Sequence, residues 1–347
     1  MARRIRKSPW AASLQRALST LTRAAVRAGT RSAVELARAT AKAAAKTSAR
    51  KPTPSRSTPT RARSAGAWVS GVAIGASGAR RYRLFKPAGA RKASPLPLLV
   101  MLHGCTQDAA SFARSTRLAA TAARAGFIAL CPEQDRLANA QGCWNWFETR
   151  SGRAFNEAVL IVAAIDQACA LHGADPARVV VAGFSAGASM AALLATRYPT
   201  RFKGVAMHSG VAPGAANSAA TALRAMQGRG KPVALPHDTA LPPLLVIHGN
   251  NDHVVGVSNG EAAALAWAEA CAARPTATRV VQRGQRYPMT MTDFKRRSRT
   301  LVSLCEIAGL GHAWSGGAAS QPYADAQGPD ALRLIWAFAE REFQTQV

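Results

Sequence analysis

Short apolar runs alternate with longer segments of helical periodicity from residue 66 to the end of the sequence. Continuous apolar runs are typical of strands buried on both faces, so the alternation predicts an α/β fold with a mostly parallel central sheet and helices on both faces. The predicted strands are 98–102, 127–131, 179–183, 204–208, 244–248 and 301–307, and the predicted helices are 114–124, 156–171, 186–197, 261–273 and 331–343.

Two stretches show neither pattern. Residues 211–241 are rich in Ala, Gly and Pro, and residues 275–300 are basic and irregular. Insertions over the tips of strands commonly carry binding loops, so both stretches are predicted to do so. No window contains 18 consecutive apolar residues, which predicts that the chain has no transmembrane helix.

Charge divides the chain into a basic extension, 1–65, and a globular part, 66–347. The extension holds 16 Lys or Arg against one acid, Glu35, and so carries more than half of the net charge of +27. Its last part, 48–65, is rich in Pro, Ser, Thr and Arg, a composition that cannot bury enough apolar surface to fold, which predicts a linker.

Upstream of the linker, a leucine stripe and an arginine stripe lie on opposite faces of a predicted helix. This pattern suits an anchor to an apolar or anionic surface, such as a polyester particle or a lipid membrane, better than nucleic acid, which requires only the charge. A solvated extension with no partner and a transit-type targeting segment are the alternatives. The stripes are Leu14, Leu18, Leu21 and Ala25 on one face and Arg16, Arg23, Arg27 and Arg31 on the other.

The segment Gly183-Phe184-Ser185-Ala186-Gly187 follows the predicted strand 179–183 and precedes the predicted helix 186–197. This is the Gly-x-Ser-x-Gly pattern of a nucleophile elbow in its strand–turn–helix context. Glycines flank the serine because the turn is too sharp for side chains, and the strain projects the hydroxyl above the sheet. Ser185 is the predicted nucleophile.

A serine nucleophile needs a histidine as general base and a carboxylate that orients the histidine, and both should follow Ser185 in the order acid, then histidine. Asp252 follows the predicted strand 244–248, and His312 follows the strand 301–307, so we expect them to be the acid and the base. Structural roles are expected for the competing residues, which are Asp238, Asp293, His103, His172, His208, His237, His248 and His253.

Acyl transfer also requires hydrogen-bond donors for the oxyanion. The backbone N–H of Ala186, which follows the nucleophile, is one predicted donor. The backbone N–H of Cys105, in the loop after the strand 98–102, is the other, and the thiol is not needed for this role.

The chain has six cysteines, all in the globular part, and none forms a Cys-x-x-Cys pair. The spacing predicts no zinc site, and no cofactor is predicted. Three disulfides could form in an oxidising compartment, but the sequence does not choose among the 15 pairings, and buried free thiols are the alternative for Cys131, Cys169 and Cys305.

Five ordered blocks lie within residues 98–317. The blocks are His103-Gly104-Cys105, Cys143-Trp144-Asn145-Trp146-Phe147, Ala174-Asp175-Pro176-Ala177-Arg178-Val179 with the elbow, His248-Gly249 with Asp252, and Gly311-His312-Ala313-Trp314-Ser315-Gly316-Gly317. Together they resemble the polyhydroxybutyrate (PHB) depolymerase family of esterases, which is related to feruloyl and acetylxylan esterases. The resemblance implies the α/β-hydrolase fold, a catalytic triad of Ser185, Asp252 and His312, and a secreted, disulfide-bonded protein.

Cys105 and Cys143 lie in two of these blocks, both expected over the active site, which predicts a disulfide between them. At least one of Trp144, Trp146 and Trp314 is expected to line a groove for the acyl group or the polymer, with core packing as the alternative. No continuous apolar region of a secretory signal precedes the globular part, so a cytoplasmic, polymer-granule-associated protein is the alternative to an extracellular one.

The expected function is that of a serine ester hydrolase acting on poly- or oligo-hydroxyalkanoates. The same triad also suits feruloyl, acetylxylan or simple short-chain esters. A non-catalytic protein that binds a surface through its basic extension is the alternative from another functional class.

Overall fold

The computed structural model describes residues 65–345, apart from residues 231 and 236–239. An 11-stranded sheet runs through this part of the chain in the order β1-β2-β4-β3-β5-β6-β7-β11-β10-β8, and β9 pairs with β10. The strands are Gly66–Gly75 (β1), Gly78–Pro87 (β2), Leu96–Leu102 (β3), Ile128–Pro132 (β4), Ala174–Phe184 (β5), Gly204–His208 (β6), Leu244–Gly249 (β7), Arg274–Pro275 (β8), Arg279–Val281 (β9), Met289–Arg296 (β10) and Arg299–Ile307 (β11).

Six neighbouring strands, β4, β3, β5, β6, β7 and β11, pair in parallel, and the pairs outside them are antiparallel. Each predicted strand corresponds to one of these six, with ends that differ by a few residues. The prediction of a mostly parallel central sheet is confirmed.

Helices cover both faces of the sheet, as predicted. Along β3, Leu98, Val100 and Leu102 enter the core on one face, whereas Leu99 and Met101 enter the core on the other. This alternation follows from the two-residue period of a strand. The helices are Ala109–Ser115 (α1), Leu118–Ala125 (α2), Arg153–His172 (α3), Ala186–Arg197 (α4), Ala219–Met226 (α5), Ser258–Ala270 (α6) and Ala331–Gln344 (α7).

The predicted single helix 114–124 is wrong, because the chain breaks there into α1 and α2. Arg117 has a φ of 55° and a ψ of 35°, in the left-handed region, which a continuous right-handed helix does not allow. The hydroxyl of Thr116 donates to the carbonyl of Phe112, so the last turn of α1 is closed by a side chain. Side-chain bonds of this kind compete with helix continuation.

The prediction that residues 275–300 form an irregular insertion is wrong. This stretch contains β9 and β10, and β10 pairs with β11 over most of its length. Only Met289 and Phe294 of β10 are buried, so the strand lies near an edge of the sheet with its basic residues largely in solvent. The first insertion, 211–241, contains the short helix α5.

Within the described residues, α3 is long and apolar enough to cross a membrane by length and hydropathy. Its residues Ala158, Ile161 and Ile165 are fully buried against the sheet. This is the arrangement of a core helix in a globular domain.

The predicted extension, 1–65, lies outside the described residues except for its last residue, Ala65. Its predicted helix and linker therefore remain predictions. The first described strand, β1, begins at Gly66.

Candidate active site

The predicted nucleophile, Ser185, lies at the sharp turn between β5 and α4. Its φ of 55° and ψ of −120° are rarely adopted by residues other than glycine, and such strain costs of order 1–3 kcal/mol. A Cβ atom on Gly183 would lie 2.3 Å from the carbonyl carbon of Gly187, and one on Gly187 would lie 2.1 Å from the carbonyl oxygen of Leu102. Space therefore excludes side chains at both glycines of the motif.

Ser185, His312 and Asp252 form one hydrogen-bonded chain. Nε2 of His312 lies 3.0 Å from Oγ of Ser185, and Nδ1 of His312 lies 2.7 Å from Oδ2 of Asp252. The three residues follow β5, β11 and β7, and the carboxyl ends of parallel strands meet at one edge of the sheet. The fold thus brings together the three side chains that the sequence singled out.

The carboxylate of Asp252 is buried, and its second oxygen, Oδ1, accepts hydrogen bonds from the N–H groups of Val254 and Val255 at 2.9 and 2.8 Å. Burial alone would raise the pKa of Asp252, but the hydrogen bond from His312 and the neighbouring imidazoles hold this pKa below its usual value. An ionised carboxylate only accepts hydrogen bonds, so Nδ1 of His312 carries a proton and Nε2 is free to accept the proton of Ser185.

Three other histidines at strand ends are buried, in agreement with the structural roles expected for them. Each has a ring nitrogen bonded to the backbone, which holds a loop at the active-site edge. The contacts join Nδ1 of His103 to the carbonyl of Gly104 at 2.9 Å, Nε2 of His208 to the N–H of Ser315 at 3.1 Å, and Nε2 of His248 to the carbonyl of Val255 at 2.9 Å.

These buried histidines predict a loss of stability in mild acid. Burial lowers the pKa of His208 to about 3 and that of His103 to about 4, below the ordinary value of 6.5. Between pH 6.5 and these values the unfolded chain binds more protons, so the free energy of unfolding falls as the pH falls. We expect a decrease of about 1.4 kcal/mol per pH unit for each histidine.

Urea denaturation between pH 7 and pH 4.5 measures this dependence. His208→Gln should reduce the slope by about one proton. An unchanged slope in His208→Gln would show that buried His208 does not contribute to the loss of stability in acid.

The backbone around the predicted oxyanion donor Cys105 leaves one N–H free. The N–H of Gly104 donates to Oε1 of Gln107 at 2.9 Å, and the N–H of Thr106 donates to a backbone carbonyl at 2.7 Å. Among the described residues, the N–H of Cys105 has no acceptor. The N–H of Ala186, at the first position of α4, has no acceptor within its own helix. Both groups are therefore available to an oxyanion.

A disulfide joins Cys105 to Cys143, with Cα atoms 4.2 Å apart, so the predicted bond is confirmed. It ties the loop after β3 to the segment that precedes α3. Free thiols are found at the four remaining cysteines, which are Cys131, Cys169, Cys271 and Cys305.

Comparison with known protein families identifies the family of this chain. A family profile described as "Esterase PHB depolymerase" matches residues 80–270, which is more than half of the chain. The protein belongs to this esterase PHB depolymerase family.

Two curated relatives and one solved structure illustrate the similarity. Poly(3-hydroxyalkanoate) depolymerase C of Paucimonas lemoignei is 34% identical over 189 residues, which are 51% of this chain and 45% of the relative. Feruloyl esterase B of Neurospora crassa is 35% identical over 127 residues, which are 36% of this chain and 42% of the relative. The chain thus spans less than half the length of these curated relatives.

The structure of acetyl xylan esterase from Aspergillus awamori has a TM-score of 0.56 to this chain, at 20% identity, and covers 71% of this chain and 94% of its own. At this identity the comparison concerns the fold, and it confirms the α/β-hydrolase fold. The family profile includes Ser185 and Asp252 but ends before His312. The inclusion of His312 in the candidate triad therefore rests on its hydrogen bonds with Ser185 and Asp252.

The tryptophans of this PHB depolymerase family member are mostly structural. Trp144 is fully buried and donates its Nε1–H to the carbonyl of His103 at 3.0 Å, and Trp314 is 1% exposed and stacks on His208. A groove role for these two side chains is wrong, because neither reaches the surface. Trp146 is 8% exposed, and its groove role remains a prediction.

The competing acids lie elsewhere. Asp293 is in β10, where it pairs with Arg279 at 2.7 Å and accepts a hydrogen bond from the hydroxyl of Ser303 at 2.6 Å. This agrees with the expected salt-bridge role. Asp238 lies outside the described residues.

Metal ligation has little support in the part of the chain that the structure describes. No group of three or more His, Cys, Asp or Glu side chains there could hold a metal ion. The chemistry of the site is that of a histidine, a carboxylate and a hydroxyl.

Sequence reasoning missed a set of buried polar side chains beneath the loop of Cys105. Asn145 lies in the block that begins at Cys143, whereas the others belong to no motif, and no period joins the set, so no local signal indicates that they meet. The set is Arg80, Gln107, Gln134, Asn145 and Glu157, each 2–5% exposed.

Proposed function

We propose that this protein is a serine carboxylic-ester hydrolase whose catalytic residues are Ser185, His312 and Asp252. The observation that carries the proposal is the hydrogen-bonded chain from Asp252 through His312 to Ser185, with the serine on a strained strand–helix turn. The arrangement supplies a nucleophile, a general base and a carboxylate that orients the base. Membership of the esterase PHB depolymerase family agrees with it.

Acylation starts when Nε2 of His312 takes the proton of the Ser185 hydroxyl as its oxygen attacks the ester carbonyl. The carbonyl oxygen becomes an oxyanion, which the N–H groups of Cys105 and Ala186 stabilise. Collapse of the tetrahedral intermediate breaks the bond to the leaving alcohol, and the imidazolium of His312 gives that alcohol its proton. The ionised Asp252 stabilises the imidazolium throughout.

Deacylation repeats these steps with water. His312 removes a proton from water, the hydroxide attacks the acyl carbonyl, and Ser185 leaves with the proton that His312 returns. The products are a carboxylic acid and the free enzyme.

The substrate we propose is a poly- or oligo-hydroxyalkanoate ester, which is supported by the 34% identity to a relative named poly(3-hydroxyalkanoate) depolymerase C. A feruloyl or acetylxylan ester is the second candidate, because relatives named feruloyl esterase B are 34–35% identical. Product analysis against a panel of these esters, with Ser185→Ala as the blank, decides between them. Release of hydroxyacid monomers or oligomers is expected, and release of ferulate or acetate alone would favour the second candidate.

Turnover of a nitrophenyl ester by the purified protein tests the proposed activity itself. We expect turnover by the wild type. Absence of turnover, together with binding to polyester particles, would instead favour a non-catalytic surface-binding protein.

The cellular site we propose is extracellular. The Cys105–Cys143 disulfide supports this proposal, because disulfides form and persist in oxidising compartments.

The basic extension, residues 1–65, is proposed to bind an apolar or anionic surface. We expect deletion of 1–65 to leave the turnover of a soluble ester within about twofold and to weaken binding to polyester particles or anionic vesicles, because the leucine stripe and the arginines are lost together. Co-sedimentation with particles and flotation with vesicles measure the binding.

Two triple variants separate the stripes in this experiment. The first variant combines Leu14→Ala, Leu18→Ala and Leu21→Ala, and the second replaces the arginines at 16, 23 and 27. Each of the two variants should weaken binding. Unchanged binding after the deletion would contradict the anchor, and lost turnover of the soluble ester would show that the extension is part of the catalytic fold.

A further inference from the structure

A buried carboxylate that takes no part in the proposed mechanism lies beneath the loop of Cys105. Glu157, on α3, is 3% exposed and accepts three hydrogen bonds. Two donors belong to Asn145, the N–H at 2.9 Å and Nδ2 at 2.6 Å, and the third is Nε2 of Gln134 at 2.7 Å. Such a costly buried group requires an explanation.

The Gln134 bond leads to one side of the Cys105 loop. Nε2 of Gln134 also donates to the carbonyl of Cys143 at 2.9 Å, and the N–H of Gln134 donates to Nε2 of His103 at 3.1 Å. The other ring nitrogen of His103, which then carries the proton, donates to the carbonyl of Gly104 at 2.9 Å. Gln134 thus connects Glu157 to the peptide that precedes Cys105.

The Asn145 bonds lead to the other side of the loop. Oδ1 of Asn145 accepts from Nδ2 of Asn139 at 2.9 Å, and Oδ1 of Asn139 accepts from the N–H of Gln141 at 3.0 Å. The carbonyl of Gln141 accepts the N–H of Thr106 at 2.7 Å. Asn145 thus connects Glu157 to the residue that follows Cys105.

The two connections hold the backbone on both sides of the free N–H of Cys105. An oxyanion donor must be held in place before reaction, since a misplacement of about 1 Å can cost about a hundredfold in rate. The loop has no helix or strand of its own to hold it, whereas α3 is a rigid core helix. An anchor on α3 therefore meets the geometric need of the loop.

The donors around Glu157 match a carboxylate and not an amide. All three are uncharged N–H groups, and an ionised carboxylate offers only acceptors. The nearby cation is the buried guanidinium of Arg80. Burial lowers the pKa of Arg80, and the attraction of the guanidinium to Glu157 opposes that lowering. A glutamine at position 157 would direct an NH₂ group at one of the three donors.

We propose that Glu157 is a positioning residue which, through Gln134 and Asn145, holds the backbone N–H of Cys105 as an oxyanion donor. The inference rests on the proposed ester hydrolysis. It assigns a role in the reaction to a side chain that has no hydrogen bond to Ser185, His312 or Asp252.

The test is Glu157→Gln, assayed with a nitrophenyl ester and expressed per active site titrated with a fluorophosphonate. We expect kcat to fall about tenfold to a hundredfold with KM within about twofold, because the oxyanion exists only in the transition state. The inhibition constant of phenylboronic acid, whose adduct with the serine is tetrahedral, should rise by a similar factor. The pH dependence of kcat/KM should keep its midpoint, since the network does not contact His312.

Asp166→Asn is the matched control, because Asp166 lies on the same helix, is exposed and pairs only with Arg201. It should leave all of these quantities unchanged. A merely structural role of Glu157 would lower the melting temperature and the number of titrated sites, but not kcat per site or the affinity for phenylboronic acid.

Asn139→Ala provides a second variant in case Glu157→Gln does not fold, because it removes the side chain that joins Asn145 to the N–H of Gln141 and leaves Glu157 in place. A lower kcat per site and weaker phenylboronic acid binding would again support the network. Wild-type values of kcat per site in folded Glu157→Gln would overturn this inference alone. Where Glu157→Gln does not fold, wild-type values in Asn139→Ala would do so. Absence of both turnover and fluorophosphonate labelling in the wild type would overturn the proposed function, and this inference with it.

Discussion

Ser185→Ala is expected to lower kcat for a soluble ester by about five to six orders of magnitude, because the substitution removes the atom that attacks the carbonyl. His312→Ala should cost a similar factor, and Asp252→Asn should cost about four orders of magnitude. The melting temperature of Ser185→Ala should change little, since the hydroxyl has one hydrogen bond among the described residues, which is to His312. Steady-state kinetics with a nitrophenyl ester and thermal unfolding measure the two quantities.

The three losses should not add, since the residues act as one unit. The double variant of Ser185→Ala and His312→Ala is expected to be about as slow as either single variant. Ser151→Ala, at an exposed serine whose hydrogen bonds are to Glu148 and the N–H of Arg153, is the control and should retain full activity. Near-normal activity of Asp252→Asn would assign the orienting acid to another residue.

Removal of the Cys105–Cys143 disulfide is expected to lower the free energy of unfolding by about 3–4 kcal/mol. The bond closes a loop with a sequence separation of 38, and a cross-link stabilises mainly by restricting the unfolded chain. Urea denaturation of the double variant Cys105→Ser and Cys143→Ser measures the loss. The same variant should also have a lower kcat, because the loop that carries the proposed oxyanion donor loses one of its attachments.

Cys169→Ser is the matched control for this experiment. It removes a partly buried free thiol and no disulfide, so its stability should differ little from that of the wild type. A double variant as stable as this control would contradict the stabilising role of the disulfide.

The parallel sheet and the order of the candidate triad follow from local patterns in the sequence. The strand Leu244–Gly249 begins with a continuous apolar run, Leu244 to Ile247, and strands buried on both faces are mostly apolar. The elbow at Ser185 is visible because space forbids a side chain at Gly183 and Gly187. Asp252 and His312 could be placed by their positions directly after strands, since a parallel sheet collects the carboxyl ends of its strands at one edge.

Strands outside the parallel core were not predicted, for a physical reason. β2 and β10 carry arginines or lysines on a half-exposed face, and an edge or outer strand has no need for a continuous apolar run. The break at Arg117 was also not predicted, because the helical period continues from α1 into α2 across one left-handed residue.

The residues themselves thus determine the mostly parallel α/β sheet, the nucleophile turn and the order of the candidate triad, because each depends on local geometry or on strand order. The α/β-hydrolase fold and the cysteine pair were expected from the motif blocks that resemble the PHB depolymerase family. The tertiary structure alone decides that Trp144 and Trp314 are buried, since an indole beside a catalytic motif can turn toward the core or toward the substrate. It alone brings Glu157 beneath the loop of Cys105, 52 positions away in the sequence. Hydrogen bonds between side chains so distant leave no periodic signal, because they depend on how the loops and α3 pack in three dimensions.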